Sequence, residues 1–245
     1  MDDIHLKLIK TFKEIDKKTL KLLKESNLLR PLIQKIIIKN LTKDIKFTKS
    51  EINDEIGKFY DNNSINNGTE LQKYLDYYGI TEEDLRYQVL LPKKILELSK
   101  QMFKNRIDAH FLKRKESLDK YTYNIIRLDN IDLAYELFFQ LEEKESDFAK
   151  LSFEYSIDNN IFPNGIVGPR SLDGTHPNIA EVLRNSTPGI LIEPIKIERW
   201  WLIIKLIERN QATLDINNTK LMFLELFNIF IDEKTSFVLR EEFIT

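Results

Sequence analysis

Three histidines and no cysteine are what this 245-residue chain offers to the commonest side-chain chemistries. His5, His110 and His176 stand far apart, and no two share i,i+3 or i,i+4 spacing, so none pairs on one helix face to grip a metal. Without a thiol there is no thiolate zinc site, no cysteine nucleophile and no disulfide scaffold. What is left is the chemistry of carboxylates, of hydroxyls and of shape. No cofactor and no metal are expected.

Charge narrows the partners. Residues 1–119 carry 24 Lys/Arg against 19 Asp/Glu, and residues 120–245 carry 13 against 20. The basic half invites a nucleic-acid reading, but its lysines alternate with acids along helical faces. Lys113-Arg114-Lys115 is the one true cluster, and no stacking aromatics alternate with it. The pattern is that of a solvated helical surface, so nucleic acid is not expected as a partner. The opening Met1-Asp2-Asp3-Ile4 lacks the basic start and apolar run of a secretory signal. No stretch approaches the roughly 20 apolar residues that span a bilayer. Leu221 to Ile231 comes nearest and is broken by Glu225 and Asn228. A cytoplasmic protein without membrane contact is the expectation.

The elements that would position any site follow from Gly and Pro. Five of seven prolines and four of seven glycines lie between 163 and 194, which predicts turns and short strands there and long helices earlier. Thr48 and Glu51 form a capping box, with Phe47 and Ile52 as its hydrophobic staple. Thr81 and Asp84 repeat it, and Gly79 suits the end of a helix over Glu70 to Tyr78. The next helix is predicted from Glu82 past Phe103 toward Phe111, with a kink at Pro92. Ile4, Leu8 and Phe12, then Leu32, Ile33, Ile36 and Ile37, supply further helical faces whose plain reading is core.

From Lys120 the period changes. Tyr121 to Leu128 is β-branched and aromatic and predicts a strand. Asn130 and Ser146 are expected to cap two helices, ending near Leu141 and Tyr155. A strand and loop follow from Phe162 to Thr175, and Pro177 opens a short helix to Arg184. Ile190–Ile195 and Trp200–Ile207 then read as two strands around an Glu198-Arg199 turn. A last helix begins at Asn217 and is apolar on nearly all sides up to Ile231.

The order β-α-α-β-α-β-β resembles the parvulin-type peptidyl-prolyl isomerase domain. Tyr123-Asn124-Ile125-Ile126, Asp147-Phe148-Ala149-Lys150-Leu151-Ser152 and Tyr155-Ser156-Ile157-Asp158 carry the resemblance, followed by Asn164-Gly165-Ile166-Val167-Gly168, Pro177-Asn178-Ile179, Pro188-Gly189 and Leu202-Ile203-Ile204-Lys205-Leu206. A helical domain ahead and a returning helix behind look like the SurA-type chaperones, and like cyanobacterial parvulin-related proteins without a signal sequence. The fold implied is α+β. It comprises a helical chaperone domain over 1–119, a parvulin-like domain over 120–210, and a C-terminal segment over 211–245 that packs back on the first domain.

Prolyl isomerisation crosses a barrier of about 18–20 kcal/mol without covalent chemistry. A catalyst needs an apolar cup for the ring and polar groups that favour the twisted amide over the planar one. The family supplies two floor histidines, a cysteine or aspartate beside them, and a Leu/Met/Phe cup. The resemblance puts Asn124 and Leu202 at the histidine positions and Asp158 at the cysteine-or-aspartate position. It puts the cup on Val167, Thr175 and Ile179, with His176 beside it, and the hairpin's hydroxyl positions on Ile197 and Arg199. Asp158 and Asn124 are thus the catalytic candidates; plain alternatives are a turn acid and a strand residue satisfied by a neighbour. Trp200 and Trp201, adjacent in a strand, are expected on opposite faces. The resemblance implies an isomerase and chaperone whose clients are unfolded or proline-containing polypeptides, with catalysis weakened or lost. The alternative is a non-catalytic holdase, escort or interaction module on a vestigial scaffold.

Overall fold

The computed structural model describes residues 16–158 and 160–243. His5 and the face through Ile4, Leu8 and Phe12 lie outside the described residues. The chain divides into two compact units: one runs up to His110 and resumes at Asp215, the other is Phe111–Leu214. The class is α+β.

The first unit is helical. Asp16 caps α1 (Lys17–Glu25) by accepting from the N–H groups of Lys18 and Thr19. Helix α2 (Leu29–Thr42) buries Leu29, Ile33 and Ile37, three residues at i, i+4 and i+8. The Thr48–Glu51 capping box starts α3 (Lys49–Asn62). Asn67 caps α4 (Gly68–Tyr78), which ends on Gly79 at φ 61°, the left-handed conformation that a side chain would oppose. The Thr81–Asp84 box starts α5 (Glu82–Phe103), and Pro92 lies inside that helix. The run expected to continue toward Phe111 breaks at Phe103 into a 3₁₀ turn, Lys104–Arg106. It resumes as α6 (Ile107–Leu118).

The last helix of the chain, which we number α10 (Ile216–Phe243), returns to this unit and packs against α2 and α5. It runs twelve residues past the end of its apolar run at Ile231, and Asp232 and Ser236 in that stretch take hydrogen bonds from Arg30. Phe230 meets Phe103 edge-on, and His110 Nε2 lies 2.8 Å from Glu225 Oε2. Thr42, Ser99 and Thr235 are fully buried in these helices. Each donates its hydroxyl to the carbonyl four residues back, so close helix packing leaves no polar atom of theirs unsatisfied.

The second unit is a four-stranded antiparallel sheet in the order β2-β1-β4-β3, with β1 Lys120–Leu128, β2 Ile166–Arg170, β3 Leu191–Ile197 and β4 Trp200–Asn210. Between β1 and β2 come α7 (Ile131–Glu142), α8 (Phe148–Tyr155) and a 3₁₀ turn, Pro163–Gly165. Helix α9 (Pro177–Asn185) precedes β3. Asn130 caps α7, but α8 is capped by Asp147 and not Ser146: the Asp147 carboxylate accepts from the Lys150 N–H at 2.9 Å. A carboxylate at that position also complements the helix dipole, which a hydroxyl does not.

Strand alternation sorts the core into two layers. Tyr121, Tyr123, Ile125, Leu202, Ile204 and Leu206 face α9 together with Val167, Leu172, Ile179 and Leu183. Ile126, Leu128 and Ile203 face α7 and α8, meeting Leu137, Phe138 and Leu151. Both edge strands carry a proline, Pro169 in β2 and Pro194 in β3, which removes a ladder donor and discourages another strand from pairing there.

The two units divide inside α6, between His110 and Phe111. A buried carboxylate holds the end of α6 to the sheet. Asp119 accepts from Arg209 Nε and Nη2 at 3.1 and 2.8 Å and from the Ala212 N–H at 2.8 Å, with Lys115 Nζ at 3.8 Å. Burial, the largest single influence, pushes its carboxyl up; the Ala212 N–H, Arg209 and Lys115 together outweigh it and hold the carboxyl below the ordinary 3.8. A folded value below the unfolded one adds stability that is present above the unfolded value and is lost as pH falls through the folded one. Asp119→Asn is therefore expected to cost about 1–3 kcal/mol at neutral pH, since Arg209 keeps only a neutral partner. Its deficit against the parent should shrink below about pH 4. Urea unfolding of both proteins at pH 7 and pH 3 measures this, and an equal deficit at both would refute the ionised-carboxylate account.

Candidate functional site

The face of the sheet beneath α9 is where the resemblance places a cup. Val167, Ile179 and Leu202 do converge there, but they are 3, 6 and 1% exposed. They belong to one packed cluster that also holds Tyr123, Leu172, Ile197 and Ile204. Phe162, Ile195 and Trp200 lie half-buried against it, so the apolar residues stand as a filled core layer. Trp200 and Trp201 take opposite faces as alternation requires, Trp200 on this layer and Trp201 on the α7–α8 layer. The Arg199 guanidinium lies 4.3 Å above the Trp200 ring.

Thr175 is half-buried, and its N–H donates to the Leu172 carbonyl at 3.0 Å. His176 does not enter the layer. It is exposed and caps α9, its Nδ1 accepting from the Asn178 N–H at 3.3 Å while Pro177 takes the first helical position.

Asn124 and Leu202 do not share a face. In the β1–β4 register Leu202 stands opposite Arg127 and Ile204 opposite Ile125, both in the α9-facing set, whereas Asn124 stands opposite Lys205. Residues directly opposite point the same way and neighbours along a strand point opposite ways. Asn124 therefore faces the α7–α8 side, and the residue of that pair on the α9 side is Tyr123. Asn124 thus lies on the opposite face of the sheet from Leu202, Val167 and Ile179. The sequence already held the signal: Tyr121, Tyr123 and Ile125 alternate as large apolar-bodied residues, and Asn124 is out of step with them.

Asp158 is buried beside this face and has a partner that sequence reasoning missed. Its Oδ2 lies 3.0 Å from Arg127 Nε, with Arg127 about one-third exposed. The loop that carries Asp158 is fixed to β1 by backbone and hydroxyl bonds: the Ile157 N–H donates to the Arg127 carbonyl, and the Ser156 hydroxyl accepts from the Arg127 N–H at 3.1 Å. The Asp158 carbonyl in turn accepts from the N–H groups of Ile161 and Phe162. Arg127 also reaches Tyr123 electrostatically. Burial pushes the Tyr123 phenol up, and Arg170 and Arg127 pull it part of the way back.

The chemistry available is thus a cationic and phenolic edge on an apolar layer. Asp158 sets a carboxylate beside the Arg127 guanidinium. Arg127, partly exposed, can donate to a substrate carbonyl that keeps its acceptor character as the amide twists. Tyr123 is a second donor on the same face. Among the described residues no pair of histidine rings stands on this face. Arg127 and Tyr123 escape a sequence reading because neither residue type belongs to the family floor described above; their position four apart on one strand face is the only clue.

Residues 126–208 match the family model for rotamases, described as the PPIC-type PPIase domain. The chain matches no curated protein. Among solved structures, peptidylprolyl isomerase PrsA from Bacillus cereus is 20% identical over 94% of this chain and 89% of its own, with a TM-score of 0.49. A structure from work on the SurA-like chaperones PEB4 and Cj1289 of Campylobacter jejuni is 17% identical over 98% and 94%, with a TM-score of 0.37. The parvulin domain of PpiD from E. coli is 25% identical over 38% and 91%, with a TM-score of 0.32. No described helix is long and apolar enough to cross a membrane. Residues 126–208 thus form a rotamase domain of the PPIC, or parvulin, type.

Proposed function

We propose that the protein is a parvulin-like prolyl isomerase and chaperone that binds unfolded or extended, proline-containing polypeptide, with the isomerase step weak. The observation that carries the reading is the rotamase match over residues 126–208. On the α9-facing side Asp158 acts through Arg127, and Arg127 donates to the carbonyl of the prolyl bond. Val167, Ile179, Leu202 and Thr175 support the apolar layer on which the proline ring rests, and Asn124 lies outside the site. Because no disulfide is needed, the reading holds in the cytoplasm, where the sequence led us to place it, as in an oxidising compartment.

The second reading is a non-catalytic holdase or interaction module. It is favoured by the near-complete burial of Val167, Ile179 and Leu202, which leaves no open cup. One series of measurements separates the two. Isomerisation of short Xaa-Pro peptides should be accelerated weakly by the parent protein and not at all by Arg127→Met. Asp158→Asn should lose most of the acceleration and about 1–3 kcal/mol of stability, the range for breaking a pair whose arginine is part-solvated. Suppression of client aggregation should survive both changes. A parent protein that holds clients yet never exceeds the uncatalysed isomerisation rate would remove the isomerase step and leave the holdase.

A further inference from the structure

Helices α3 (Lys49–Asn62) and α4 (Gly68–Tyr78) carry a continuous row of rings. Phe59 meets Tyr74 edge-on at a centroid distance of 5.5 Å, Tyr74 lies 4.6 Å from Tyr78, and Tyr78 lies 5.0 Å from Tyr77. The i,i+4 spacing of Tyr74 and Tyr78 makes them neighbours on one helix face. Leu75 supplies the buried contact of α4, while Tyr77 and Tyr78 are 82 and 57% exposed. Core packing does not account for two tyrosines held outward.

Other rings of this unit are covered by cations of the chain itself. Lys93 lies 4.9 Å over Phe47, Lys39 and Lys94 lie 5.6 and 5.9 Å over Tyr87, and Lys234 lies 5.5 Å over Phe230. Among the described residues none of the cation–ring contacts falls on Tyr74, Tyr77 or Tyr78.

The charge around the row is opposite to that of its half of the chain. Residues 54–84 hold eight Asp/Glu and two Lys/Arg, whereas the rest of residues 1–119 hold 11 against 22. Asp76 precedes Tyr77 on α4, and Glu82, Glu83 and Asp84 open α5 just past the Gly79 turn that ends α4. Glu82 already pairs with Arg86 at 2.8 Å and Asp84 closes the Thr81 capping box, so Asp76 and Glu83 are the carboxylates left to meet a partner's charge, and a nucleic acid or acidic peptide would be repelled.

We propose that this aromatic face docks a lysine- or arginine-rich extended polypeptide segment. Its cations lie over the Tyr77 and Tyr78 rings, and Asp76 and Glu83 offset their charge. The inference rests on the reading of this protein as a polypeptide binder. It is independent of the isomerase step and of the α9-facing layer.

Fluorescence anisotropy of a labelled lysine-rich peptide on the intact chain tests it, with the glutamate-for-lysine peptide as counterpart. Tyr77→Ala with Tyr78→Ala should weaken lysine-peptide binding at least about fivefold, and Tyr77→Phe with Tyr78→Phe should retain it, because the ring face makes the contact. Asp76→Asn with Glu83→Gln should weaken binding and flatten its dependence on salt. Equal affinity for the two peptides, or unchanged binding by the alanine pair, overturns the proposal. Isomerase and aggregation assays on the same preparations report separately on the function proposed above.

Discussion

Gly168→Ala is expected to destabilise the rotamase unit by about 3 kcal/mol or more. Gly168 has φ 107°, where an L side chain is strained, and a Cβ built there would meet the Tyr121 carbonyl oxygen at 2.2 Å and Thr122 Cα at 3.0 Å. Both obstacles are backbone of the central strand β1, so no rotamer change relieves them. The approach is this close because the β1–β2 register shifts between Tyr121 and Tyr123. Overpacking of about 1–3 kcal/mol adds to a conformational cost of about 1–2 kcal/mol. The control is Gly57→Ala within α3, where a Cβ meets nothing within 4 Å; there alanine should add about 0.5–1 kcal/mol. Urea unfolding followed by far-UV circular dichroism measures both. A Gly168→Ala cost under about 1 kcal/mol would mean that β2 can lift from β1 without penalty.

Much of the architecture was legible because its signals are local. Thr48–Glu51 and Thr81–Asp84 satisfy their own helix starts within four residues, and Asn130 and Pro177 mark α7 and α9 in the same way. A signal with a close competitor is ambiguous: Ser146 and Asp147 both precede α8, and the carboxylate takes the cap. The break at Lys104–Arg106 and the extension of α10 to Phe243 depend on tertiary contacts that no local pattern carries.

The site was legible only in outline. Asp158 stands by the sheet, but its partner Arg127 lies 31 residues earlier, and only folding brings the two together. The face of Asn124 was within reach of alternation. Tyr121, Tyr123 and Ile125 alternate onto one face, and in a strand a one-residue shift reverses the face. An apolar cup and an apolar core have the same composition, and sequence alone cannot tell an open apolar surface from a packed one.

That ambiguity is resolved by the second large effect. Leu202→Ala is expected to cost about 2–5 kcal/mol, because Leu202 is almost wholly buried among Val167, Ile179 and Ile204 and truncation leaves a cavity on a central strand. Leu202→Met keeps the volume and should cost less than about 1.5 kcal/mol. A residue lining an open cup behaves in the reverse way. Its truncation removes little packing, spares stability and weakens peptide binding directly. Unfolding midpoints and Xaa-Pro peptide affinity measured on the same two variants therefore give opposite patterns for the two states of this layer. A stable Leu202→Ala protein with impaired peptide binding would show that the layer opens to receive the proline ring. An unstable one whose peptide affinity is restored in Leu202→Met would show that this layer serves as core, and that client contact belongs to the Arg127 edge.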